Sequence, residues 1–167
     1  ISLSSDGFIV AIGARGNGSN GENSGHVRIY SNTGGLWTQV GQDIDGDSQW
    51  CLGGGSVSRL SDGGIVGIRA VGDSDAASYA GHVRIYSNTG GVWTQVGQDI
   101  DGEAVYDDLS GASVSLSSDG SIVAIGAVGS DMSANTSGRV RIYRITGGVW
   151  TQVGQDIDGD SQWCLGG

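Results

Sequence analysis

The sequence predicts an all-β chain of three tandem repeats, each a four-stranded antiparallel sheet of the size of a propeller blade. Three observations predict it. The segment Gly-x-Trp-Thr-Gln-Val-Gly-Gln-Asp-Ile-Asp-Gly occurs three times, with its tryptophan at Trp37, Trp93 and Trp150, 56 and then 57 residues apart. The same offsets separate Gly25-His26-Val27-Arg28-Ile29-Tyr30, Gly81-His82-Val83-Arg84-Ile85-Tyr86 and Gly138-Arg139-Val140-Arg141-Ile142-Tyr143. Finally, 33 glycines and no proline disfavour helix and leave the turns to glycine's tolerance of positive φ.

A fixed period of this length marks units that cannot bury an apolar face alone and therefore stack on one another. Ile1, Val57 and Val114 are equivalent starts, which divides the chain into repeats 1–56, 57–113 and 114–167. The third repeat stops two residues short of a full period, and the chain begins without Met, so the array is expected to continue on both sides.

Within the third repeat the elements follow in order. Val114-Ser115-Leu116-Ser117 alternates apolar and polar residues, as a half-buried strand does. Ser118-Asp119-Gly120 then makes a tight turn into Ile122-Val123-Ala124-Ile125-Gly126-Ala127, a continuous apolar run that predicts a strand covered on both faces. Arg139-Val140-Arg141-Ile142-Tyr143 alternates again, and Thr146-Gly147-Gly148 turns the chain into the fourth strand, Trp150-Thr151-Gln152-Val153. The second strands of the other repeats are Ile9–Ala14 and Ile65–Ala70, whose small residues would let neighbouring sheets approach closely. Arg69 breaks that pattern where its counterparts are Gly13 and Gly126, and should face a channel or pair with a carboxylate.

Composition excludes several function classes. The formal charge of −10 repels phosphate backbones, and the eight basic residues, all Arg, are dispersed among the repeats, so nucleic acid is not a partner. No stretch has the roughly 20 apolar residues that cross a bilayer as a helix, so no membrane insertion is expected in this segment. Cys51 and Cys164 hold the same position two repeats apart and should lie beyond the ~7 Å Cα separation of a disulfide. Each then serves as a small apolar residue beside Trp50 or Trp163, or bonds to another copy or a further repeat.

The repeat units resemble the FG-GAP-type β-propeller repeats of integrin-α-like heads. The resemblance rests on Ser113-Val114-Ser115-Leu116-Ser117-Ser118-Asp119-Gly120-Ser121-Ile122-Val123-Ala124-Ile125-Gly126-Ala127, on Gly-His-Val-Arg-Ile-Tyr and on the Trp-Thr-Gln-Val-Gly segment, and spans all three repeats. It implies propeller blades, about seven to a ring, in an extracellular or cell-surface protein. Calcium-binding members carry an Asp-x-Asp-x-Asp-Gly-type loop after the first strand. Here that loop is reduced to Ser4-Ser5-Asp6-Gly7, Leu60-Ser61-Asp62-Gly63 and Ser117-Ser118-Asp119-Gly120. One carboxylate cannot satisfy the six to eight oxygens that calcium takes, so these Asp residues read as turn formers.

The densest acidic positions lie elsewhere, at Asp43, Asp45 and Asp47, at Asp99, Asp101 and Glu103, and at Asp156, Asp158 and Asp160. Alternate spacing puts three carboxylates on one side of an extended segment, where they would hold Ca2+ or cap a solvated turn. No other cofactor is indicated. His26 and His82 are replaced by Arg139 in the third repeat, which suits an exposed cross-strand pair better than a ligand or general base. The repeated Tyr and Trp residues read as packing between blades, whereas Trp50, Tyr79, Tyr106 and Trp163 break the period and are the candidates for binding a sugar face or a protein. Asn17-Gly18-Ser19 and Asn135-Thr136-Ser137 are glycosylation acceptors at Asn17 and Asn135 if the protein is secreted by a eukaryotic cell.

Three functions compete. Near-identical units favour a non-enzymatic extracellular scaffold for adhesion, surface coating or a fibre, whose partners are further copies or further repeats. A ligand-binding propeller would instead take glycans or cell-surface proteins on its loops. A catalytic propeller has the least support: Asn88-Thr89-Gly90-Gly91-Val92-Trp93 is similar to the Thr-Gly-x-x-x-Trp motif of quinoprotein blades but one residue short, and no catalytic constellation breaks the period.

Overall fold

The computed structural model describes residues 1–16, 20–46, 56–59, 64–70, 81–102, 113–127 and 138–159. Among the described residues the chain is all-β, without helix, and its strands form three successive antiparallel sheets, one per repeat. The first contains β1 (Ser2–Leu3), β2 (Ile9–Ala14), β3 (His26–Thr33), β4 (Leu36–Gln39) and β5 (Ile44–Asp45). The second contains β6 (Ser56–Arg59), β7 (Ile65–Ala70), β8 (His82–Thr89), β9 (Val92–Gln95) and β10 (Ile100–Asp101). The third contains β11 (Ser113–Leu116), β12 (Ile122–Ala127), β13 (Arg139–Thr146), β14 (Val149–Gln152) and β15 (Ile157–Asp158).

The four principal strands of each sheet run in sequence order, which is the pattern of tandem blade repeats. The fifth was not legible in the sequence, because two residues are too few to show alternation. It pairs with the start of the long third strand, while the fourth strand pairs with its end. The Gly-Gly hairpins between third and fourth strands follow from sequence directly. Gly34 and Gly35 have φ of 61° and 89°, and Gly147 and Gly148 have 60° and 83°, as a two-residue turn with both central residues left-handed requires.

The core lies between sheets. One apolar cluster joins Ala11, Val27, Ile29 and Ile44 of the first sheet to Val57, Val66, Ile68 and Trp93 of the second. The other joins Val83, Ile85 and Ile100 of the second to Val114, Val123, Ile125 and Trp150 of the third. These residues occupy equivalent positions in successive repeats, so each sheet gives one face to the repeat before it and the other to the repeat after it. Close approach depends on small residues. A Cβ at Gly67, the counterpart of Ala11, would come within 3.1 Å of Val114 Cγ1 and 3.3 Å of Leu116 Cδ1.

Arg69 pairs in register with Val83, whose side chain packs against the third sheet, so the two lie on that face. It is buried in β7, and burial together with the nearby charge of Arg15 lowers its pKa to about 10. A guanidinium at that value is still protonated at neutral pH, so the second sheet carries a buried cation where the first and third have Gly13 and Gly126.

Covering by a neighbouring sheet sets the worth of each tryptophan. Trp93 is 5% exposed and Trp150 4%, whereas Trp37, which has no sheet before it among the described residues, is 45% exposed. Trp93→Ala is expected to cost about 3–5 kcal/mol, as removal of a buried aromatic does, and Trp37→Ala under about 1 kcal/mol. Urea unfolding of the two variants beside the parent chain measures the difference; equal losses would contradict this division of roles.

Candidate functional site

The most elaborated feature of the molecule is the joint between repeats, built from the Trp-Thr-Gln-Val-Gly-Gln segment. The fourth strand ends in Val40-Gly41-Gln42 in the first repeat, and the tryptophan of the second repeat lies on that turn. Trp93 Nε1 donates to the Val40 carbonyl at 2.8 Å. The Gln42 side chain then pairs with the main chain of the same tryptophan: its Nε2 donates to Trp93 O at 2.9 Å, and its Oε1 accepts from Trp93 N at 3.1 Å. A side-chain amide thereby acts as one more rung of sheet pairing, reaching from one repeat to the next.

The second joint repeats the first. Trp150 Nε1 donates to Val96 O at 2.8 Å, Gln98 Nε2 donates to Trp150 O at 2.9 Å, and Gln98 Oε1 accepts from Trp150 N at 3.0 Å. The glycine between valine and glutamine is required twice over. Gly41 and Gly97 have φ of 75° and 76°, and the indole rests directly on them. A Cβ at Gly41 would lie 2.8 Å from Trp93 Cδ1, and one at Gly97 would lie 2.7 Å from Trp150 Cδ1. The sequence carried a signal for this: a polar Gln recurs after every Val-Gly although no strand alternation calls for it.

The acidic positions divide between two structural tasks. Asp43, Asp99 and Asp156 close each sheet internally. Arg28 donates Nε and Nη2 to Asp43 Oδ2 at 2.9 and 2.7 Å, Arg84 holds Asp99 at 2.6–2.9 Å, and Arg141 Nε reaches Asp156 at 2.9 Å. In every repeat a glutamine, Gln39, Gln95 or Gln152, donates to Oδ1 of that carboxylate at 2.7 Å. Asp45, Asp101 and Asp158 instead stand in register opposite His26, His82 and Arg139. The third member of each acidic triplet, Asp47, Glu103 or Asp160, lies outside the described residues.

The cross-strand register of the histidines matches the sequence reading, but their exposure does not. His26 and His82 are buried, because the short fifth strand lies beside the start of the third. Each meets two carboxylates: the ligand atoms of His26, Asp43 and Asp45 lie within 4.8 Å of one another, as do those of His82, Asp99 and Asp101. One imidazole and two carboxylates suit a transition ion better than calcium, which takes oxygen ligands alone. A metal here would have to compete with the guanidinium already on Asp43 or Asp99. In the third repeat Arg139 occupies the histidine position, with Nη1 at 3.8 Å from Asp156.

The shortened loops of the first and third repeats act as turns, and that of the second, 60–63, lies outside the described residues. Asp6 Oδ1 accepts from Ser4 Oγ at 2.5 Å and from Phe8 N at 3.0 Å. Asp119 accepts from Ser117 Oγ at 2.6 Å and from the amide and hydroxyl of Ser121 at 3.1 and 2.8 Å. These bonds, led by that from Ser117, lower the Asp119 pKa to about 2. Trp50, Tyr79, Tyr106, Trp163, the acceptors Asn17 and Asn135, Cys51, Cys164, Asp47, Glu103 and Asp160 lie outside the described residues. No model of a known protein family and no curated protein sequence matches the chain.

These environments fix the sign of the acid response. The bond from Arg28 lowers the pKa of Asp43. At Asp99 and Asp156 burial acts upward but is outweighed by the Arg and Gln donors, so both are lowered as well. A carboxyl whose folded pKa is below its unfolded value binds fewer protons when folded, so its contribution is full above the unfolded pKa, near 4, and is lost as pH falls toward the folded value. Stability should therefore change little on account of these groups between pH 7 and 5 and fall between about pH 4 and 2. Asp119→Asn should flatten that fall, as read from urea midpoints across the range; an unchanged slope would show that Asp119 titrates normally.

Proposed function

We propose that the chain is a non-enzymatic structural or adhesive scaffold, working outside the cell or on its surface, whose units are made to join one another. The observation that carries this reading is the joint itself: the same three hydrogen bonds and the same apolar faces, built twice from near-identical sequence. Among the polar residues that recur in the repeats, Gln42, Gln98 and the Arg–Asp–Gln groups are engaged in that joint or in closing a sheet. What the sequence repeats is joinery, and a catalytic or ligand site has no need of such repetition.

The likeness of the repeats to FG-GAP-type blades supports the same reading and supplies the extracellular setting. Adhesion, a fibre subunit and a surface coat all use repeated complementary faces. Immunogold labelling of intact source cells, with negative-stain imaging of the material they shed, tests the setting. Label on the cell surface or on shed assemblies is expected; label confined to the cell interior would overturn it.

A further inference from the structure

We propose that this chain binds a second copy of itself head to tail, with Trp37 of one copy seated on the Val153-Gly154-Gln155 turn of the other, through the joint that links its own repeats. The proposal rests on the scaffold reading and names the surface by which the scaffold would grow.

Both halves of a third joint are present on the molecule, at opposite ends. On the donor side, Trp37, Val10, Ile12 and Tyr30 line an open apolar hollow. Their counterparts Val66, Ile68 and Trp93 in the second repeat, and Val123, Ile125 and Trp150 in the third, are buried against the preceding sheet. On the acceptor side, Val153 and Ile157 are exposed, Ile157 at 56% where Ile44 and Ile100 are 8% and 4%. The remainder of that face, Ala124, Val140 and Ile142, is only partly buried, whereas Ala11, Val27 and Ile29 are buried completely in the first joint.

The acceptor turn already has the shape of the two that are in use. The segment Thr-Gln-Val-Gly-Gln-Asp-Ile-Asp-Gly is identical at residues 38–46, 94–102 and 151–159. Gly154 has φ of 76°, against 75° at Gly41 and 76° at Gly97. The difference is what lies above it: a Cβ at Gly41 or Gly97 would strike an indole, whereas at Gly154 it would meet nothing within 4 Å. The Val153 carbonyl and the Gln155 amide thus stand where Val40 and Gln42 hold Trp93. Little reorganisation is needed on either side, which lowers the cost of association.

A donor at one end and an acceptor at the other make a heterologous contact, which yields closed rings if the rotation per copy closes and open filaments if it does not. The test uses the whole chain. Analytical ultracentrifugation over a wide concentration range should show mass rising above the 16.9 kDa of one copy. Trp37→Ala removes the donor. Gly154→Asn fills the acceptor while keeping a residue that tolerates the left-handed turn. Each should weaken association at least about tenfold. Because the contact joins two different surfaces, a mixture of the two variants should form a 1:1 pair and stop there: the Trp37→Ala chain keeps its acceptor and the Gly154→Asn chain its donor. Gln155→Ala serves as a second acceptor variant should Gly154→Asn disturb the turn, and a far-ultraviolet spectrum confirms that each variant is folded. A chain that stays monomeric at every concentration would overturn the proposal. So would assembly undiminished in both variants, which would leave the scaffold reading standing on another surface.

Discussion

An indole N–H given to the main-chain carbonyl of the preceding repeat converts three separate sheets into one stack. A sheet of four short strands and a two-residue fifth cannot bury either face by itself, and here both apolar clusters lie between sheets. The hydrophobic effect draws the faces together but sets no register, since it is non-directional. Register comes from the tryptophan and the glutamine, whose three bonds hold at one separation and one rotation. The glycine beneath the ring follows from that choice, because no side chain fits under the indole.

Charge is kept out of these bonds. The joints use an indole, a carboxamide and main-chain groups, all neutral, while the ion pairs Arg28–Asp43, Arg84–Asp99 and Arg141–Asp156 are confined within single sheets. That separation is physically sensible for an acidic chain. Desolvating charges between sheets would cost several kcal/mol per ion unless each were paired in good geometry. Arg69 is the exception, a buried cation in the second sheet where the first and third have glycine.

Much of this was legible in the sequence, and the rest was hidden for identifiable reasons. Alternation and apolar runs located the four principal strands of each repeat, and the Gly-Gly pairs located their hairpins, because period and turn chemistry are local properties. The placing of Trp93 and Trp150 between blades was also readable. What escaped was non-local: the partner of Gln42 lies 51 residues away, and nothing near Gln42 advertises it. The partners of the acidic residues were equally non-local. Asp43 turns toward Arg28 while Asp45 faces His26 across the sheet. The burial of His26 and His82 was likewise beyond reach, since it depends on a strand too short to recognise.

The identity of the three acceptor turns has a genetic corollary. Since any tryptophan of the set fits any of these turns, a recombination event that duplicates or deletes one whole period leaves every remaining joint with its bonds and its packing intact. Copy number in such a gene can drift without a compensating mutation, and spacings of 56 and 57 residues that end in the same indole bond show that the loops between joints also absorb a change of one residue.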